Sequence, residues 1–256
     1  MREAVPTGAA RGRTFGRMNR VLRTHSGTAE LATAFAMYAL YEVVRGFGST
    51  TLESARAHTA DIVALERATG VFVERSVQDA VQALPGVPAL LGFAYMSLHF
   101  GATIAMLVWV YRSHRVQFAL VRTTIVAATA ISLVIYVLYP AAPPRLAGLG
   151  FADTVTDSAG INLSSESLGS LYNPFAAVPS LHFGYALLVG GVVYALARRP
   201  WVRWIGAAYP PFMLFTIVAT GNHFLLDAAA GGIVTVLAYA AARSVAAPTP
   251  ALRPSY

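Results

Sequence analysis

Six apolar stretches, near 29–46, 87–111, 117–139, 179–197, 201–219 and 224–242, divide this chain. Each approaches the roughly 20 residues with which an α-helix crosses a hydrocarbon core. Backbone polar groups inside a bilayer must find partners within the protein, so runs of this length predict spanning helices. The chain is 12% charged and 56% hydrophobic, whereas ordinary soluble domains carry about 25% charged residues. The expected fold class is all-α: a polytopic membrane protein of six transmembrane helices with short amphipathic helices in the first outer loop. The expected division is a basic cytoplasmic tail over 1–28, a six-span membrane domain over 29–246 and a second cytoplasmic tail over 247–256.

Charge sets the expected orientation. All nineteen basic residues are arginine, and they cluster beside the apolar stretches, which fits a membrane protein better than a nucleic-acid surface. Fourteen fall in the N-tail, at Arg112, Arg115 and Arg122, at Arg198, Arg199 and Arg203, and at Arg243 and Arg253. Five fall on the other side, at Arg45, Arg56, Arg67, Arg75 and Arg145. The richer side is expected to be cytoplasmic, with both termini inside a cell membrane and loops 47–86 and 140–178 outside. No short apolar core precedes a small-residue cleavage site, so the N-tail reads as retained, with an interfacial helix near 15–22. The absence of cysteine excludes disulfides, thiolate metal sites and a cysteine nucleophile.

In the first outer loop, Ile62, Leu65, Thr69, Phe72, Val73, Val77, Ala80, Val81 and Leu84 recur at helical spacing. Glu66, Arg67, Glu74, Arg75 and Asp79 stand between them. The pattern predicts two amphipathic helices broken at Gly70, stopped by Pro85-Gly86 and lying on the outer membrane surface. A structural lid and a role in substrate access both fit. Loop 146–172 is rich in Gly, Ser, Asp and Asn, which predicts an irregular, mobile segment. Glu42 and Arg45, three apart, are spaced to pair at the interface.

Three segments carry chemistry, and the expected topology puts all of them at outer helix ends. In Gly221-Asn222-His223-Phe224-Leu225-Leu226-Asp227, the histidine and the aspartate are four apart and share a helix face. A carboxylate there accepts the proton of one imidazole nitrogen and leaves the other with a lone pair, which prepares a nucleophile. The bland alternative is a polar pair satisfying itself inside a bundle, but ionisable residues in spans are costly and usually functional. In Val178-Pro179-Ser180-Leu181-His182, Pro179 suits a first helical position. The amides of Ser180, Leu181 and His182 would then form a phosphate-binding helix end, with His182 one turn in, able to give and take a proton. A capped helix with an interfacial histidine is the plainer reading. In Ala141-Ala142-Pro143-Pro144-Arg145, the guanidinium fork suits two phosphate oxygens or, alternatively, lipid headgroups.

Taken in order, Pro-Pro-Arg145, Pro179-Ser180-Leu181-His182 and His223-Phe-Leu-Leu-Asp227 resemble the three signature segments of the type-2 phosphatidic acid phosphatase superfamily. The stretch Asn173-Pro-Phe-Ala-Ala-Val-Pro-Ser-Leu-His and Gly184-Tyr-Ala-Leu are similar to its inositol phosphorylceramide synthase-like branch. The resemblance implies a metal-independent reaction in which His223 attacks phosphorus, Asp227 orients it and His182 serves the leaving oxygen and then the acceptor. It also implies that Arg145 and the amide end at Ser180 hold phosphoryl oxygens. The superfamily's first segment usually has a lysine seven residues before its arginine, where this chain has Leu138, and an arginine expected six before the third-segment histidine is Ile217.

The expected activity is that of a lipid phosphatase or phosphotransferase acting on a lipid phosphate or diphosphate at the extracytoplasmic face, through a phosphohistidine. The catalytic candidates are His223, Asp227 and His182; the substrate-binding candidates are Arg145, Ser180, Leu181, Asn222, Asn173 and His99. No metal, cofactor or nucleic acid is expected. Transfer to inositol or a sugar, a non-catalytic lipid-binding or lipid-transport protein, and a metal site built from His182, His223 and Asp227 are the competing readings. A metal-dependent prenyl transferase would need acidic clusters that the spans lack. His99, halfway down the second span, fits a buried structural histidine as well as a site-lining one. Small residues at Gly184, Gly190, Gly191, Ala228 and Gly232 are expected to let spans four and six approach.

Overall fold

The structure, a computed structural model, describes residues 27–47, 51–160 and 173–245. The expected helix near 15–22 and the Arg45 side chain lie outside what it describes. Among the described residues the regular structure is helical, apart from a single parallel bridge between Ala141 and Ala176. Helix α1 is Gly27–Phe47, α2 Leu52–Thr69, α3 Glu74–Gln82, α4 Val87–Ser113 and α5 Arg115–Leu138. After a turn of 3-10 helix at Pro144–Leu146 and one helical turn at Thr154–Asp157 come α6 Leu181–Leu196, α7 Pro200–Ala219 and α8 Leu225–Val245.

Local chemistry sets the boundaries. Thr51 caps α2 by accepting from Ser54 N, and Gly70 ends it at φ 75°, a left-handed turn that a side chain would strain. Proline opens α7, where its missing N–H costs nothing, and Gly221, at φ 70°, turns the chain after that helix. Within α4, residues Ala94–Leu98 form a π-helical turn directly before His99.

Helices α4, α5, α7 and α8 are long and apolar enough to cross a membrane. The other two expected spans differ for physical reasons. Pro179 and Ser180 lie before α6 rather than in it, which leaves a helix of 16 residues. Helix α1 has 21 residues but carries Glu30, which Arg122 of α5 reaches at 2.6 Å, and Glu42. Large apolar side chains such as Leu138, Trp204, Phe215, Ile233 and Leu237 face outward. Thr124, Ser132, Thr216 and Thr235 are turned inward. That inversion is what a lipid solvent selects.

Helix α6 is the hub, packing against α4, α7 and α8. Ala186 of α6 meets Met213 and Ile217 of α7 and Ala228 of α8 in one buried cluster. A Cβ at Gly184 would stand 2.9 Å from Gly231 O, and one at Gly231 would overlap the carbonyl of Ser180. Glycine is therefore what lets α6 and α8 touch. Gly190 instead faces α7, where a Cβ would come within 2.7 Å of the Pro210 ring, and Gly191 faces open space. Six residues along a helix turn a side chain to a different face, so Gly184 and Gly190 serve different neighbours.

Helices α2 and α3 lie across one end of this bundle. The α2 residues Ile62 and Val63 pack with Ala141, Phe151, Ala177 and Phe224. Loop residues 146–160, expected to be irregular, are fastened to the same two helices. Arg56 Nε donates to Leu146 O at 2.7 Å, and Gln78 both donates to Ala152 O at 3.0 Å and accepts from Ala152 N at 2.9 Å.

Candidate active site

The three chemically suggestive segments are tied to one another through their backbones. Ala141 N donates to Phe175 O at 2.8 Å, joining the first segment to the approach of the second. Arg145 N donates to Gly221 O and Ser180 N to Asp227 O, each at 2.9 Å. Buried backbone groups must be paired, and here each pairing fixes one segment against another.

His223 is held from the same framework. Its Nδ1 lies 3.1 Å from Ala177 O and 3.4 Å from Asp227 Oδ2. Both neighbours are acceptors, so Nδ1 carries the proton and Nε2 keeps its lone pair in the neutral ring. Asp227 is fully buried, and its Oδ2 also accepts from Phe224 N at 2.9 Å.

A cavity of about 330 Å³ opens in front of this pair. It is lined by His223, His182, Arg145, Asn222, Asn173, Leu181 and His99. The ring centroid of His182 stands 5.7 Å from that of His223 and 4.3 Å from those of Tyr95 and His99. The Arg145 side chain is 5% exposed, with its Nε 3.6 Å from Asp153 Oδ2. Asn222 donates to Thr220 Oγ1 at 2.9 Å, and Asn173 braces its own loop by accepting from Phe175 N at 2.9 Å.

Ser180 is placed differently from the expectation. It is the N-cap of α6, its hydroxyl accepting from Phe183 N at 3.4 Å, while its own amide is taken by Asp227 O. It is fully buried and does not line the cavity, so the helix-start donors left at that end are the Leu181 and His182 amides. Asp227 likewise stands behind His223 rather than in the cavity wall.

Sequence reasoning missed several participants. Tyr38, Tyr41, Tyr95, Tyr136 and Tyr185 line the cavity, drawn from α1, α4, α5 and α6. Their only signal was tyrosine within apolar stretches. It also missed Glu66 and Glu74, which stood as the polar face of amphipathic helices. Both are 0% exposed. Glu66 Oε1 accepts from Leu226 N at 2.8 Å and Glu74 Oε1 from Leu225 N at 2.9 Å. With Asp227 on Phe224 N, three carboxylates cap three consecutive amides at the start of α8, where the helix dipole favours negative charge.

The fold and this cavity define a membrane-embedded helical protein with a polar, histidine-bearing site at one end of its bundle. A family model described as the PAP2 superfamily matches residues 60–241, and the chain belongs to that superfamily. Members are generally phosphatases, and membership suggests a phosphatase- or phosphotransferase-type function. No curated protein and no solved structure matches the chain. Two positions where the superfamily's common pattern has cations lie away from the cavity: Leu138 is 73% exposed on the outer face of α5, and Ile217 is buried in the α6–α7–α8 cluster.

Proposed function

We propose that this protein transfers a phosphoryl or phospho-alcohol group from a lipid phosphate or diphosphate through a phosphohistidine at His223, on the extracytoplasmic side of a cell membrane. One observation carries the reading: Nδ1 of His223 sits between two acceptors, and the ring lines a cavity shared with His182 and Arg145. Nε2 attacks phosphorus as the bond to the leaving oxygen breaks, and His182 supplies the proton that oxygen needs. His182 then takes a proton from water or an alcohol, whose oxygen attacks phosphorus and breaks the N–P bond. The Asp227 carboxylate stabilises the positive charge that the His223 ring carries between the two steps. Arg145 and the amides at the start of α6 hold the phosphoryl oxygens.

The acceptor distinguishes a phosphatase from a phosphotransferase. Transfer to inositol or a sugar is favoured by Asn222, which lines the cavity and whose Oδ1 has no hydrogen-bond partner among the described residues, so it can accept from a polyol hydroxyl. It is also favoured by the resemblance of residues 173–187 to the inositol phosphorylceramide synthase-like branch. The test incubates purified protein with a panel of lipid phosphates and diphosphates, with and without inositol, and identifies products by mass. Phosphate or phospho-inositol release from at least one donor is expected; no product from any donor overturns the proposal.

A further inference from the structure

Glu66 and Glu74 present an acceptor problem. Each uses Oε1 to cap α8, and each leaves Oε2 buried with no hydrogen-bond donor among the described residues. The two carboxylates accept from adjacent amides, Leu226 N at 2.8 Å and Leu225 N at 2.9 Å, which brings them beside each other at the start of α8. Two ionised carboxylates have only acceptors to offer, so they can hydrogen-bond to each other only when a proton lies between them. Among the described residues no ion pair joins either glutamate to a cation: Arg75 is engaged with Asp79, Arg145 pairs with Asp153, and Arg67 lies over the Phe72 ring. The ionisable group that faces the pair is Asp227 of the α8 start, which in turn faces His223. Buried like charges without a counter-ion do not both ionise.

We propose that Glu66 and Glu74 share one proton, forming a carboxylic acid–carboxylate pair that positions the start of α8 and so holds Asp227 and His223 in register with the cavity. This rests on the reaction proposed above and assigns α2 and α3 a positioning role in it. Burial, with the neighbouring Glu74 and Asp227 charges, raises the Glu66 carboxyl from its ordinary 4.5 to about 8. A folded-state value above the unfolded one stabilises most at low pH. The contribution is therefore complete below about 4.5 and is lost as pH rises through about 8.

The experiment follows the full-length protein in detergent from pH 6 to 9.5 by infrared spectroscopy, thermal unfolding and turnover. Wild type should show a protonated-carboxyl band that titrates away near pH 8, with turnover falling about tenfold between pH 7 and 9. E66Q keeps an acceptor for Leu226 N and donates an amide hydrogen to Glu74. It should lack that band and should hold its unfolding temperature and turnover across the range. E74Q, which keeps the acceptor for Leu225 N, is the independent second variant. A band that persists unchanged in both variants, or alkaline losses parallel to wild type in both, overturns the shared proton. If no lipid phosphate is turned over, the proposed reaction fails while the infrared and unfolding measurements still decide this pair.

Discussion

Asp227 Oδ2 stands 3.4 Å from His223 Nδ1 and accepts the Phe224 amide at 2.9 Å, so one carboxylate both caps α8 and faces the imidazole. The backbone carbonyl of the same aspartate receives the amide of Ser180, the N-cap of α6. Its position therefore couples the two helix starts that bring His182 and His223 to one cavity.

Asp227→Asn retains an oxygen for the Phe224 amide and removes the charge beside the ring. We expect thermal unfolding close to wild type and kcat lower by on the order of 10⁴-fold, the scale seen when an orienting aspartate is neutralised elsewhere. Unfolding temperature and steady-state turnover, measured on the same preparation, check this. A variant that folds and turns over at the wild-type rate contradicts the role given to Asp227.

Arg145→Ala should lower kcat/KM by about 10²-fold or more through loss of phosphoryl-oxygen contacts. Arg145→Lys keeps the charge but not the planar fork, so it should recover only a small part of the loss. Full recovery with lysine would reduce Arg145 to a general positive charge near the membrane surface.

Gly231→Ala places a methyl group against the Ser180 carbonyl, between α6 and α8. Overpacking of this kind costs about 2 kcal/mol, and the distortion falls on the amide that Asp227 O receives. Both unfolding temperature and turnover should drop, whereas Gly191→Ala, whose Cβ meets nothing within 4 Å, should leave both unchanged.

The orientation inferred from arginine distribution is open to direct labelling, because the chain has no cysteine of its own. Cysteines introduced at Gly160 and, separately, at His114 are to be treated with an impermeant thiol reagent on intact cells. Labelling at 160 alone is expected; labelling at 114 alone would reverse the orientation.

Much of the site's composition was readable from short-range pattern. The family match over 60–241 agrees with the resemblance read from the three segments. The spacing of His223 and Asp227 predicts a shared helix face, whereas α8 begins at Leu225 and His223 stands before it, met by Asp227 as the capping carboxylate. What the pattern could not reveal depends on contacts between distant residues. Hydrophobic periodicity identified an apolar side for α2 and α3 but not the partner of their polar side. Glu66 and Glu74 are there to meet the amides of Leu225 and Leu226, about 150 residues away in sequence. Ser180 looked like a phosphate-binding amide because a helix start offers free donors, and only the tertiary structure shows Asp227 O already occupying it. The tyrosines around the cavity come from four helices, a convergence that no local window contains.

The central claim is that His223 carries phosphoryl while His182 moves protons. The most direct test uses a labelled phosphoryl donor whose leaving group needs no protonation, with His182→Ala and His223→Ala proteins quenched under alkaline conditions and digested. In His182→Ala, breakdown becomes limiting, and labelled phosphohistidine should accumulate on the peptide containing His223. In His223→Ala no labelled peptide should appear. Label on His182 in the His223→Ala protein would contradict the account, as would wild-type turnover by a protein without His223.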